Sequence, residues 1–260
     1  MKNRRKSRSW DLRSARYTPN DHKKETGSME LYIDDANTKE IRRLSGIYPV
    51  DGVTTNPSIL ARTGRNPVEV LKEIRTLLGP DRLIFAQAIP TDAEGMIRDA
   101  HAICTLLGEQ TIVKIPAIPQ GFQAIRQLKK EGIRTCGTVV YSPMQAYLAA
   151  RAGAEYVAPY VNRIDNLGYD GCSTTITIHN ILKQHGCPCK VLAASFKNSQ
   201  QVLTLCAAGI QAATCASSVI DGFVNNAAVK EAVQDFVNDF RNIADGSENM
   251  ADLVSGSGES

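Results

Sequence analysis

One lysine sits inside the apolar run Thr111-Ile112-Val113-Lys114-Ile115-Pro116, with valine before it and isoleucine after. The run is short, rich in β-branched residues, and bounded by Gly108-Glu109-Gln110 and by proline, the pattern of a buried strand. An amine enclosed by apolar side chains is costly to keep charged, and the neutral amine is a nucleophile toward carbonyl carbon. The same residue type also clamps phosphates, or points from a strand end into water. On this hexamer alone those alternatives stay open. Six more polar side chains close apolar runs: Asp34, Asn56, Gln87, Thr138, Tyr160 and Ser195. Taken singly each reads as a cap or turn residue, as Asn56 before Pro57 does. Taken together, a carboxylate, an amine, a phenol and several neutral hydrogen-bonding groups suit carbonyl chemistry through a lysine imine.

The elements that carry these residues alternate along the chain. Short strands are predicted at Leu31–Asp34, Gly52–Asn56, Leu83–Gln87, Thr111–Pro116, Ile133–Thr138, Glu155–Tyr160, Lys190–Ser195 and, more weakly, Gln211–Cys215. Helical spacing follows most of them, as in Val68, Val70, Leu71, Ile74, Leu77 and Leu78, or in Phe122, Ile125 and Leu128. A long loop is expected over Val161–Asp170. Eight alternations without a linker predict a parallel sheet covered by helices, closed as a (β/α)8 TIM barrel. Its chemistry then belongs at the C-terminal mouth, where the seven polar residues fall. No GxGxxG or Walker sequence opens a helix, which argues against an open nucleotide-binding sheet.

Composition bounds the remaining possibilities. The hydrophobic fraction of 43% fills an ordinary core, and no apolar run approaches the ~18 residues a membrane helix needs. The net charge of +3 is uneven: residues 1–28 hold nine Lys or Arg against three acidic residues, leaving the rest at a net of −3. We read 1–28 as a disordered basic leader or tag, 29–246 as the barrel domain and 247–260 as a disordered Gly/Ser-rich tail. The seven cysteines, without a secretion signal, read as free thiols in a reducing cytoplasm. No nucleic-acid or membrane partner is expected.

From Met29 to about Gly246 the chain resembles the transaldolase family, and within it the fructose-6-phosphate aldolase subgroup. The matching stretches are Met29-Glu30-Leu31-Tyr32-Ile33-Asp34, Gly52-Val53-Thr54-Thr55-Asn56-Pro57-Ser58, Phe85-Ala86-Gln87, Ile112-Val113-Lys114-Ile115-Pro116, Val157-Ala158-Pro159-Tyr160-Val161-Asn162-Arg163 and Leu192-Ala193-Ala194-Ser195-Phe196-Lys197. The resemblance implies a Schiff base on Lys114. It implies that Asp34 and Asn56, with Thr54, serve the dihydroxyacetone part of a sugar phosphate, and that Arg163 and Ser195 hold the phosphate. It implies catalysis without a cofactor or metal, and a homo-oligomer, a decamer of stacked pentamers joined partly through the last helix. Gln87 and Tyr160 match the aldolase subgroup, where classical transaldolases resemble one another in having glutamate and phenylalanine. Tyr160 would handle the proton at the cleaved bond, with Gln87 and Thr138 holding a water. Transaldolase activity is the alternative, and a non-catalytic sugar-phosphate-binding barrel a further one.

Three stretches depart from the family pattern: Asp35 adds a carboxylate after the first strand, Ala117-Ile118-Pro119-Gln120 is less polar, and Thr214-Cys215-Ala216-Ser217-Ser218 replaces a Leu-Pro motif. A cluster of His179, His185, Cys187 and Cys189 could suggest zinc, but C-x-C beside two histidines is no standard closed-site spacing. It falls on the rim opposite the mouth and reads as incidental thiols. His101 is expected on an outer helix face.

Overall fold

The computed structural model describes residues 28–244 and 246–256. The expected leader therefore lies outside the described residues except for Ser28, as do the last four residues of the tail. Strand β1 (Glu30–Asp34) leads into α1 (Thr38–Ile47), and β2 (Gly52–Thr54) into a short α2 (Pro57–Ala61) and then α3 (Pro67–Leu78). The alternation continues through β3 (Leu83–Gln87), α4 (Ala93–Leu107), β4 (Thr111–Pro116), α5 (Pro119–Lys130), β5 (Thr135–Val140) and α6 (Pro143–Ala152). After β6 (Tyr156–Pro159) come α7 (Val161–Asp165) and α8 (Gly171–Gln184), then β7 (Lys190–Ala193) and α9 (Ser199–Ala207). Finally β8 (Ala212–Cys215) is followed by α10 (Ser217–Asp221), α11 (Ala227–Ile243) and α12 (Met250–Gly256). All eight strands are parallel and ordered β1 to β8, and β8 pairs with β1 to close the barrel, Leu31 opposite Ala213. This is the (β/α)8 barrel that the alternation predicts.

Local chemistry starts each helix. Asn37, Asn66, Asp92, Ser142, Asp170 and Asn198 each cap a helix by accepting a backbone N–H. Pro67, Pro119 and Pro143 occupy the first turn, where no N–H is needed. Gly121 lets α5 lie against the end of β4: a Cβ there would stand 1.9 Å from the Pro116 carbonyl oxygen.

Side-chain alternation then sorts the residues of each strand. On β4, Val113 and Ile115 pack toward the helices, while Ile112 faces the barrel axis. Tyr32, Phe85, Ile112, Cys136 and Tyr156 make an apolar floor, with Phe85 edge-on to Tyr32 at 5.0 Å and to Tyr156 at 5.2 Å. Two residues further along β1, β3, β4 and β5 come Asp34, Gln87, Lys114 and Thr138. A polar layer thus rests on an apolar one, as a period of two dictates.

The structure differs from the sequence reading in several places. Strand β5 runs Thr135–Val140, so Thr138 lies inside it and does not close it, and β6 ends at Pro159, one residue before Tyr160. The expected loop 161–170 begins with α7, because Val161 and Ile164 bury one face of a short turn. The turn at Pro57 is the start of α2, with Pro57 in its first turn and Asn56 as its cap. Strand β7 ends at Ala193, so Ser195 lies beyond it, with a φ of 61°. Residues Met250–Gly256, expected to be without structure, form α12. None of the residues of α11 is buried: Val233, Phe236 and Ile243 are 56%, 72% and 80% exposed. No helix among the described residues is long and apolar enough to cross a membrane.

Candidate active site

A cavity of about 340 Å³ opens at the C-terminal mouth of the barrel. Asp34, Asn56, Gln87, Lys114, Tyr160, Arg163 and Ser195 all line it, so seven of the nine residues singled out from sequence meet there. The Lys114 side chain rises from the middle of β4 and is 5% exposed. Its Nζ donates to the Thr55 carbonyl oxygen at 2.9 Å. Among the described residues no carboxylate lies within 4.0 Å of it.

Thr54 and Thr138 stand one step behind the cavity wall. Thr54 is fully buried; its hydroxyl donates to Asp34 Oδ1 at 2.7 Å and lies 2.6 Å from the Thr214 hydroxyl. Thr214 thus orients Thr54, and Thr54 orients the carboxylate. Burial pushes the Asp34 carboxyl above the usual carboxylate range, with Lys114, the Thr54 hydrogen bond and Arg62 pulling it back. Thr138, also fully buried, has its hydroxyl 2.9 Å from that of Tyr160. The Arg163 guanidinium carbon sits 4.9 Å from the centre of the Tyr160 ring, and Tyr141 beside it holds that guanidinium more firmly protonated than usual. Asn56 spends its side-chain oxygen capping α2, accepting from the Ile59 amide at 3.0 Å, which leaves its NH2 group as the donor.

Backbone strain marks the same rim. Val139, at 60°, and Ser195, at 61°, are the non-glycine residues with positive φ among the described residues, and both line the cavity. A β-branched residue in that region is uncommon, and such strain is held where the surroundings over-determine it. The register between β5 and β6 shifts between Gly137 and Val140, a bulge that coincides with the positive φ of Val139.

Sequence reasoning missed Arg62, which also lines the cavity. It caps the C-terminus of α2, six residues past Asn56, and only its charge beside a strand end could have pointed to it. The additional carboxylate of Asp35 does not line the cavity; it accepts from the Ala36 and Asn37 amides and from the Ser217 hydroxyl at 3.0 Å. His179 Nδ1 lies 3.3 Å from Gln211 Oε1, and among the described residues no group of three His, Cys, Asp or Glu could hold a metal ion. His101 does find a partner, Glu131, at 2.9 Å on the outer face.

A parallel barrel with a buried lysine, a carboxylate and a phenol at its mouth defines a class of enzyme built for carbonyl chemistry. The family described as Transaldolase/Fructose-6-phosphate aldolase matches residues 31–255. The chain belongs to that family, and it is an aldolase- or transaldolase-type enzyme. Among solved structures it is similar to the one described as "Native KDPGal structure", with a TM-score of 0.53 and 16% identity over 81% of this chain and 98% of that one. It is also similar to a designed cube-shaped, highly porous protein cage made by fusing symmetric oligomeric domains, with a TM-score of 0.54 and 13% identity over 88% of this chain and 83% of that one. At these identities the two likenesses speak to the fold.

Proposed function

We propose that the protein is a Schiff-base aldolase that reversibly cleaves fructose 6-phosphate to dihydroxyacetone and glyceraldehyde 3-phosphate, with no metal or organic cofactor. The observation that carries this reading is the Lys114 amine, buried in the cavity wall with its Nζ on the Thr55 carbonyl oxygen and, among the described residues, no carboxylate in ion-pair range. Lys114 attacks the ketone carbon, and loss of water leaves an iminium. The bond between carbons 3 and 4 then breaks, its electron pair moving toward the iminium nitrogen, as the carbon-4 hydroxyl gives up its proton to Tyr160 or to a water beside it. Glyceraldehyde 3-phosphate departs; the enamine takes a proton at carbon 3 and is hydrolysed to dihydroxyacetone.

Asp34 and Asn56 serve the dihydroxyacetone hydroxyls, Thr54 and Thr138 hold Asp34 and Tyr160 in place, and Arg163 with Ser195 binds the phosphate. Gln87, neutral, supports the catalytic water. A phenol at position 160 and an amide at 87 favour release of dihydroxyacetone over its transfer to an aldose phosphate. Product analysis tests this: fructose 6-phosphate alone is expected to give dihydroxyacetone. No release alone, with sedoheptulose 7-phosphate formed once erythrose 4-phosphate is added, establishes transaldolase instead.

The uncovered stripe of α11, with Phe236 and Ile243 exposed, supports a ring-like homo-oligomer, a decamer of stacked pentamers, in which this helix packs on a neighbouring subunit. Removing 229–260 is expected to give smaller species by light scattering; an unchanged large assembly contradicts that role.

A further inference from the structure

Tyr141 has no part in the chemistry above, yet it touches two residues that line the cavity. It follows β5 directly, and its ring centre lies 5.8 Å from that of Tyr160 at an angle of 72°, an edge-to-face contact. The Arg163 guanidinium carbon sits 4.9 Å from the centre of the same Tyr160 ring. Tyr141 and Arg163 therefore meet around one aromatic platform, and a hydrogen bond to the Tyr141 side chain does most to keep the guanidinium protonated.

The backbone of Tyr141 is fixed as well. Gln145 on α6 accepts from the Tyr141 amide through Oε1 at 3.0 Å, and its Nε2 donates to the Ala117 and Val139 carbonyl oxygens at 3.2 and 3.5 Å. One side chain thus ties Tyr141 to the turn after β4 and to the strained Val139, two residues before it. Such strain persists where its surroundings over-determine it.

The partner of Arg163 is also chemically apt. Fixing a long, rotamer-rich side chain at the moment of binding costs affinity, so a phosphate clamp gains from being held beforehand. Among the described residues Arg163 has no carboxylate in ion-pair range, whereas Arg134 at the base is tied to Glu155 at 2.7 Å. A carboxylate would hold the guanidinium but compete with an incoming phosphate for its charge. A neutral hydroxyl holds it by one of its five N–H donors and leaves the others for the anion.

We propose that Tyr141 is a positioning residue whose hydroxyl holds the Arg163 guanidinium in place for the phosphate of the substrate. The assignment rests on the reading of Arg163 as the phosphate-binding group. Tyr141 does not line the cavity, so it acts through Arg163, and no bond is made or broken on it.

The test measures kcat and KM for glyceraldehyde 3-phosphate and for glyceraldehyde, each added to dihydroxyacetone. It uses the wild type, Tyr141→Phe, Arg163→Gln and the double variant. Calorimetry with glycerol 3-phosphate, which lacks the reacting carbonyl, runs in parallel. Tyr141→Phe keeps the ring beside Tyr160 and removes only the hydroxyl. KM for the phosphorylated acceptor is expected to rise about three- to tenfold, the range for releasing one long side chain, with smaller changes in kcat and in KM for glyceraldehyde. Arg163→Gln is expected to lose more, and adding Tyr141→Phe to it is expected to cost nothing further, because the hydroxyl acts only through the arginine. Equal losses for both acceptors overturn the proposal, as does an unchanged KM for glyceraldehyde 3-phosphate or an additive loss in the double variant. If no addition to dihydroxyacetone occurs while Tyr141→Phe still weakens glycerol 3-phosphate by that factor, the aldolase reading falls and the positioning role of Tyr141 stands.

Discussion

The two ends of the barrel hold similar ionisable groups and treat them in opposite ways. At the base, Glu30 is buried and accepts from the Tyr32 hydroxyl, the Tyr156 hydroxyl and Lys190 Nζ, each at 2.8 Å. Beside it Arg134 makes a two-pronged pair with Glu155 at 2.8 and 2.7 Å. These four charges are paired with one another within the fold. At the mouth, among the described residues, Lys114 donates to a backbone carbonyl, Asp34 is held by threonine, and Arg62 and Arg163 have no carboxylate in ion-pair range. The positive-φ residues Val139 and Ser195 add strain at that end. The contrast separates groups that hold the fold from groups left available to a ligand, and a site that gives up stability is where function is expected.

The largest effect expected from breaking this contrast is at Lys114. Lys114→Met removes the amine and fills its apolar slot, so turnover is expected to disappear while the thermal melt stays cooperative. Substantial residual activity would remove the lysine from the mechanism. Next, Tyr160→Phe deletes one hydroxyl, and cleavage of fructose 6-phosphate is expected to fall by about 10²–10⁴ in kcat. A loss confined to KM would make the phenol a binding group only.

At the base the expected loss is of stability. Glu30→Ala leaves two buried hydroxyls and an ammonium without their shared acceptor, and about 3–5 kcal/mol of unfolding free energy should go. Denaturant melts measure it; a change under about 1 kcal/mol would mean that water replaces the carboxylate at no great cost.

The smallest effect sharpens the comparison through pH. Arg134 holds the Glu155 carboxyl below its usual range, so its stabilisation is present above the unfolded-state value and is lost as pH falls through the folded value. Asp34 runs the other way. Its raised carboxyl costs nothing in acid, where both states are protonated, and costs progressively more as pH rises from the unfolded-state value through the folded one. Asp34→Asn is therefore expected to lose activity yet melt at a higher temperature near neutral pH, with the gain vanishing in acid. A lower melting temperature at neutral pH would show that the Thr54 hydrogen bond outweighs burial.

Much of this arrangement was legible in the chain because strand alternation does the placing. Once Thr111–Pro116 is a strand facing the axis at Ile112, Lys114 must face it too, and the same step of two carries Tyr32 to Asp34 and Phe85 to Gln87. Part of what lies off the strands was not legible. Arg62 reaches the cavity through the turn of α2, a helix too short to show a period. The bulge in β5 breaks the alternation that a sequence reading relies on. Glu30 opens β1 one residue before the predicted strand, and its partners Tyr156 and Lys190 are more than a hundred residues away. The short helix over Met250–Gly256 hides in Gly/Ser-rich composition, where Met250, Leu253 and Val254 are sparse apolar residues.

The central claim, that Lys114 is the group which bonds to substrate, has a direct measurement. The protein is incubated with dihydroxyacetone and sodium borohydride, digested, and its peptides are weighed by mass spectrometry. A single reduced adduct on the peptide containing Lys114, absent from Lys114→Met, is the expected result. An adduct on another lysine, or none at saturating donor, would contradict the account.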